Sequence, residues 1–248
     1  MQLSYFEGDA FIYFFALFRM YLSNVKYRFR YIEPSGCRLK SVSLNNCCLA
    51  DEHMAFVSHL MGLAPLLESL SMVSNNIGIK GAVLIAEAIP HTPLLSELNL
   101  AMNQIEDAGM TAIAHALSKD TSLTHLDVSE NGLTEACTKS ISMYLAGHGS
   151  RLTRVNFSHN LSIGNGIAYF AMLMMSIQPP RIECIDLSCC GLTDDVYIDL
   201  AKAVGSCKSL RVLNLKGNFI LPHSVSALLA ASEAHQQAYG RDFIPSRY

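Results

Sequence analysis

"LLSELNLAMNQIEDAGMTAIAHAL" (94–117) is followed by a near-copy, "SLTHLDVSENGLTEACTKSISMYL" (122–145). Leu95 aligns with Leu123, Leu98 with Leu126 and Asn103 with Asn131, each 28 residues on. The same frame, L-x-x-L-x-L-x-x-N-x-L, recurs across the chain. It reads "LKSVSLNNCCL" from Leu39, "LESLSMVSNNI" from Leu67, "LSELNLAMNQI" from Leu95 and "LTHLDVSENGL" from Leu123. It continues as "LTRVNFSHNLS" from Leu152, "IECIDLSCCGL" from Ile182 and "LRVLNLKGNFI" from Leu210. The starts step by 28, 28, 28, 29, 30 and 28 residues. A fixed period of this length marks stacked structural units.

Each letter of the frame has a physical reason. The central alternation is the period of a short strand with one buried face. The asparagines (Asn75, Asn103, Asn131, Asn160, Asn218) fall where the chain turns towards the core, and their amides can satisfy backbone groups there. Cys47 and Cys190 replace asparagine in the first and sixth copies, as small residues that tolerate burial. The segments 78–89 and 106–117 carry apolar stripes at helical spacing: Val83, Ile85, Ala86 and Ile89, then Met110, Ile113, Ala114 and Leu117. Gly81 and Gly109 share a frame position, which suggests close helix packing. Prolines 90, 93, 179 and 180 mark helix ends, and Thr193, Asp194 and Asp195 read as capping and acidic groups at a helix start.

Strand, turn and helix repeated in this way build an α/β solenoid. Helices are wider than strands, so the stack curves with a parallel sheet on the concave face and helices on the convex face. The seven frames and helical segments such as "GAVLIAEAI" resemble the leucine-rich repeat family, in particular its ribonuclease-inhibitor-like class. The resemblance implies a horseshoe arc of about seven repeats over residues 39–234. In the fifth copy Ser162 occupies the apolar slot and Ile163 follows it; a tolerated insertion and a bulge that shapes a binding site both fit.

The ends differ from the arc. Of the 21 Tyr and Phe residues, 11 lie within 1–31, and Phe11, Phe14, Phe15, Phe18 and Leu22 fall at helical spacing. Residues 1–38 are therefore expected to cap the open N-terminal face. Docking on a partner or membrane surface, and a start belonging to a longer chain, are the alternatives. The apolar run 10–22 spans roughly 20 Å as a helix, short of a ~30 Å hydrocarbon core, and Glu7 and Asp9 precede it, so neither a membrane span nor a signal peptide is expected. Residues 235–248 read as a short polar tail.

The net charge is −3, with no basic face of the kind a nucleic-acid binder needs. Over 39–234 the net charge is −6, which favours a protein partner with a basic or mixed-charge face. The eight cysteines lack a CxxC, so free thiols in a reducing, cytoplasmic compartment are expected, with cytoskeletal and ciliary settings implied by relatives of the class. No hydrolase, P-loop or zinc-protease motif appears. No catalysis, metal or cofactor is expected.

Function is expected on the concave face. Two outward rows run along it: Ser43, Ser71, Asn99, Asp127, Asn156, Asp186, Asn214, and Ser41, Ser69, Glu97, His125, Arg154, Cys184, Val212. The candidate partner-binding residues are Glu97, Asn99, His125, Asp127, Glu130, Arg154, Asn156, Asp186, Arg211 and Asn214. The expected role is a non-catalytic scaffold or regulator. The family resemblance implies alternatives: a GTPase-activating protein for a Ran-type GTPase, a nuclease inhibitor, or a fragment of a larger sensor or axonemal protein. Nothing in the sequence sets Arg154 apart as a catalytic finger from an ordinary surface arginine. The oligomeric state is left open.

Overall fold

The computed structural model describes residues 39–239, except 120, 146–150, 177, 178 and 180, together with a strand at 244–246. The aromatic segment 1–38 and its expected capping role lie outside the described residues.

Each frame contributes one three-residue strand. These are β1 (Ser41–Ser43), β2 (Ser69–Ser71), β3 (Glu97–Asn99), β4 (His125–Asp127), β5 (Arg154–Asn156), β6 (Cys184–Asp186) and β7 (Val212–Asn214). They pair in sequence order, all parallel, with β8 (Ile244–Ser246) added beside β7. Val42, Leu70, Leu98, Leu126, Val155, Ile185 and Leu213 stand in one register row and are all buried. The returning helices are α1 (Asp51–Leu63), α2 (Ile79–Ala88), α3 (Glu106–Leu117), α4 (Glu135–Leu145), α5 (Ala168–Met174), α6 (Tyr197–Ser206) and α7 (Pro222–Tyr239). Sheet inside and helices outside make the solenoid arc that the period implies.

The asparagines form the inner seam. Asn75 Oδ1 accepts the Cys47 and Leu49 N–H groups of the preceding repeat, both at 3.0 Å. Its Nδ2 donates to the Leu44 and Met72 carbonyls, both at 2.9 Å. Asn103, Asn131, Asn160 and Asn218 repeat this geometry. Cys190 stands in for the amide with a weaker donor, its Sγ lying 3.2 Å from the Phe157 carbonyl. Burial pushes this thiol up to about 12, against the lowering effect of the Asn160 N–H. Cys137 is raised further, by burial and by the adjacent Asp107. Both stay protonated at neutral pH, and only a thiolate attacks an alkylating reagent. A maleimide is expected to modify exposed Cys48 in the native protein and to spare Cys137 and Cys190 until denaturant is added. Peptide mass mapping reads the order; early modification of Cys190 would contradict it.

A second seam runs along the helix starts. Asp51 Oδ1 accepts the N–H groups of Gly78 and Gly81, at 2.7 and 2.9 Å, at the start of α2. Asp107 takes the Thr134 N–H and hydroxyl ahead of α4, and Asp194 takes the Leu221 N–H ahead of α7. Each carboxylate supplies the helix one repeat on with an acceptor for its orphan donors. At 193–195 the helix start falls where expected, with Thr193 at the N-cap and Asp194 and Asp195 in the first turn of a 3-10 segment ahead of α6, but Thr193 makes no capping bond. Thr193 Oγ1 instead donates to Asn165 Oδ1 at 2.7 Å, and Asp194 serves the next repeat's helix.

Three other expectations change. Val83 is only half-buried; α2 buries Gly81, Ala82, Ile85, Ala86 and Ala88. Gly109 matches its expected role, since a Cβ there would lie 2.8 Å from the Ala82 Cβ of α2. In the fifth repeat Ile163 is buried while Leu161 is exposed, and a 3-10 turn, Gly164–Ile167, leads into a seven-residue α5. The displaced isoleucine still fills the apolar slot, at the cost of helix length. Finally, the expected boundary at 234 falls inside α7. His235 is fully buried with Nε2 3.1 Å from the Cys207 carbonyl, and its ring meets Tyr239 edge-on at 4.9 Å. The tail reads as polar, but these two residues sit four apart and share the packed face.

Candidate binding face

The outward side chains of the sheet line an open trough of about 560 Å³, from Ser69 on β2 to Asn214 on β7. It brings together Glu97, Asn99, His125, Asp127, Arg154, Asn156, Asp186 and Asn214. Glu130 and Arg211 lie outside it. Glu130 sits in the turn after β4 at φ 51°, where the chain leaves the sheet. Arg211 precedes β7 and extends to Glu183, 3.9 Å away.

The two rows differ chemically. In the row nearer the turns, most polar atoms already have partners. Asp127 Oδ1 accepts the Ser129 N–H and hydroxyl, at 3.0 and 2.7 Å, and Oδ2 accepts Asn156 Nδ2 at 3.0 Å. Asp186 repeats this with Ser188, at 2.9 and 2.6 Å, and with Asn214 Nδ2 at 2.7 Å. Asn99, Asn156 and Asn214 each accept the N–H two residues on. These groups shape the strand exits, and lateral Asp–Asn pairs link neighbouring strands. The sequence holds a signal for them, D-x-S after β4 and again after β6, which an outward-facing count alone misses.

The other row is free to meet a partner. Glu97, His125 and Arg154 are in register on β3, β4 and β5. Neither Glu97 nor Arg154 makes a side-chain hydrogen bond or ion pair among the described residues, and both are exposed. The His125 ring is held by Thr124 Oγ1, 2.8 Å from Nδ1. Adjacent parallel strands lie about 4.8 Å apart, so an acid and a base stand about 10 Å apart with an imidazole between them.

The family model described as leucine rich repeat matches residues 64–86, 91–114 and 119–135. The chain carries leucine-rich repeats. No curated protein matches it. Among solved structures it is similar to leiomodin-1 actin-binding site 2, at 14% identity and a TM-score of 0.45, over 75% of this chain and 90% of that one. It is also similar to the internalin inlF of Listeria monocytogenes, at 16% identity and a TM-score of 0.42, over 68% of this chain and 41% of that one.

The leucine-rich repeat frame accounts for the residues that look most reactive. Cys184 and Asp186 are outward strand positions, and Cys190 fills the asparagine slot. Among the described residues no three His, Cys, Asp or Glu side chains converge as a metal site. No described helix is long and apolar enough to cross a membrane. What the face offers chemically is charge and hydrogen bonding over an extended, concave surface, which is how repeat solenoids bind.

Proposed function

We propose that this leucine-rich repeat array is a non-catalytic scaffold or regulator that holds a protein partner of mixed charge on its concave face. The observation that carries the reading is the row Glu97, His125 and Arg154, whose acid and base have no partners among the described residues while the row beside it is spent on structure. Opposite charges two strands apart, on β3 and β5, favour a partner face that presents both signs. The 28–30 residue period with a helix in every repeat supports assignment to the ribonuclease-inhibitor-like class. Free cysteines throughout the described arc support a reducing, cytoplasmic setting.

The test is capture from native lysate by the wild-type chain beside a Glu97→Lys, Arg154→Glu double variant. The swap leaves net charge unchanged and touches no internal hydrogen bond, so stability should stay within about 0.5 kcal/mol. A specific partner should be weakened more than about tenfold, since a desolvated charge pair contributes upwards of about 1.5 kcal/mol. A partner retained equally by both proteins sinks the concave-face reading. Reversing Asp127 or Asp186 would be a poorer test, because it also breaks the strand exits.

A further inference from the structure

We propose that the strand-entry rim of the array binds an extended segment of a protein partner that is apolar at one end and acidic at the other. The inference rests on the scaffold reading above and adds a contact outside the trough. The residue just before each frame's first apolar position is Leu66, Leu94, Ser122, Arg151 and then Arg181 in repeats two to six. Ladder bonds two residues on keep these positions in register: Ser96 to Glu68, Thr124 to Ser96, Thr153 to Thr124 and Glu183 to Thr153, each N–H donating to the carbonyl of the repeat before. One rim position therefore changes from leucine through serine to arginine along the arc.

Both ends of this row face solvent. Leu66 and Leu94 are 38% and 45% exposed. Arg151 and Arg181 are exposed, and the seventh repeat adds Lys208 and Arg211 at the same edge. The acids described beside them are already occupied, Glu68 by Lys40 at 3.0 Å and Glu183 by Arg211 at 3.9 Å. Arg181 and Lys208 have no ion pair among the described residues. The opposite rim, where strands exit, carries Glu106, Asp107, Glu130, Glu135, Asp194 and Asp195 against Lys80 and Lys216, with Asp194 paired to His223 at 2.8 Å. The exit rim is the more acidic of the two, so an acidic segment is favoured at the entry rim, where Arg181 and Lys208 stand. From Leu66 to Arg181 is four strand steps, about 19 Å, the reach of about six extended residues. The leucines offer nothing to a phosphate backbone, so the occupant that uses the whole row is a peptide rather than a nucleic acid.

The probe is a dye-labelled peptide of two leucines, a glycine–serine spacer and three aspartates, made in both chain directions and followed by fluorescence anisotropy on the full chain. One direction should bind. Arg181→Glu with Lys208→Glu should weaken it more than about tenfold, and Leu66→Ser with Leu94→Ser should weaken it several-fold. The Glu97→Lys, Arg154→Glu variant should bind the peptide like wild type, so the rim and the trough can fail separately. The proposal is overturned if neither peptide binds, if the Arg181/Lys208 variant binds normally, or if the trough variant loses the peptide. It is equally overturned if an aspartate peptide without leucines binds as well, or if a single-stranded oligonucleotide competes more strongly than the unlabelled peptide.

Discussion

Asn160→Ala is expected to destabilise the array by about 4 kcal/mol. Asn160 is 1% exposed, and its Oδ1 accepts the Asn131 and Leu133 N–H groups at 2.9 and 3.0 Å. Its Nδ2 donates to the Phe157 and Val128 carbonyls at 2.7 and 3.1 Å. Alanine leaves both N–H groups without an acceptor where water does not reach, and each orphaned buried group costs about 1–3 kcal/mol. The carbonyls suffer less; Phe157 O also receives the Cys190 thiol. For a chain of this size the loss corresponds to a fall in Tm of roughly 10 °C. Neighbour-only contacts make the damage local, so amide exchange should quicken first in the fourth and fifth repeats. Asn218→Ala is the matched control: it makes the same kinds of bond but is half-buried, so about 1 kcal/mol is expected. Equal losses in urea unfolding for the two variants would refute the buried-acceptor account.

Gly191→Ala is expected to cost about 3–4 kcal/mol, where Gly132→Ala costs about 1. Both glycines turn left-handed, at φ 68° and 69°, which penalises any Cβ by a similar amount. Around Gly132 nothing lies within 4 Å of the added carbon. At Gly191 the added carbon would overlap the Leu161 backbone carbonyl of the preceding repeat. A carbonyl cannot rotate aside as a side chain does, so one of the two turns must shift, adding about 2–3 kcal/mol. Thermal melts of the two variants, read side by side, separate the conformational penalty from the collision. Indistinguishable Tm values would mean that the turns of repeats five and six separate freely.

Much of this architecture can be read from the letters because the frame couples two short periods. Alternation about Leu98 or Leu126 fixes which side chains enter the core, and an asparagine five residues later fixes where the chain turns in. What the letters hide are partners set by the stacking itself. Asp51, Asp107 and Asp194 look like local helix-start acids, yet their acceptor oxygens serve N–H groups 27 residues away. Asp127 and Asp186 are correctly placed as outward-facing, but orientation says nothing about lone pairs, and theirs are committed to Ser129, Asn156, Ser188 and Asn214. Glu130 lies three residues past the end of β4 and Arg211 just before the start of β7, so both fall outside the trough. His235 and Tyr239 pack because they share a helix face, which a tail judged on polarity alone conceals.

The two seams point in opposite directions along the chain: each asparagine completes the turn behind it, and each helix-start aspartate completes the helix ahead. An asparagine closes five of the six junctions and a thiol the sixth, while a helix-start aspartate adds its contribution at three of them: one–two, three–four and six–seven. An array built this way can change its copy number by whole units. A gene segment encoding one complete frame can be duplicated or lost and leave asparagine joints of the same kind, whereas a cut within a frame strands donors on one side and acceptors on the other. The joint between repeats five and six, where a thiol stands in for an amide, is the one such exchange would most readily improve.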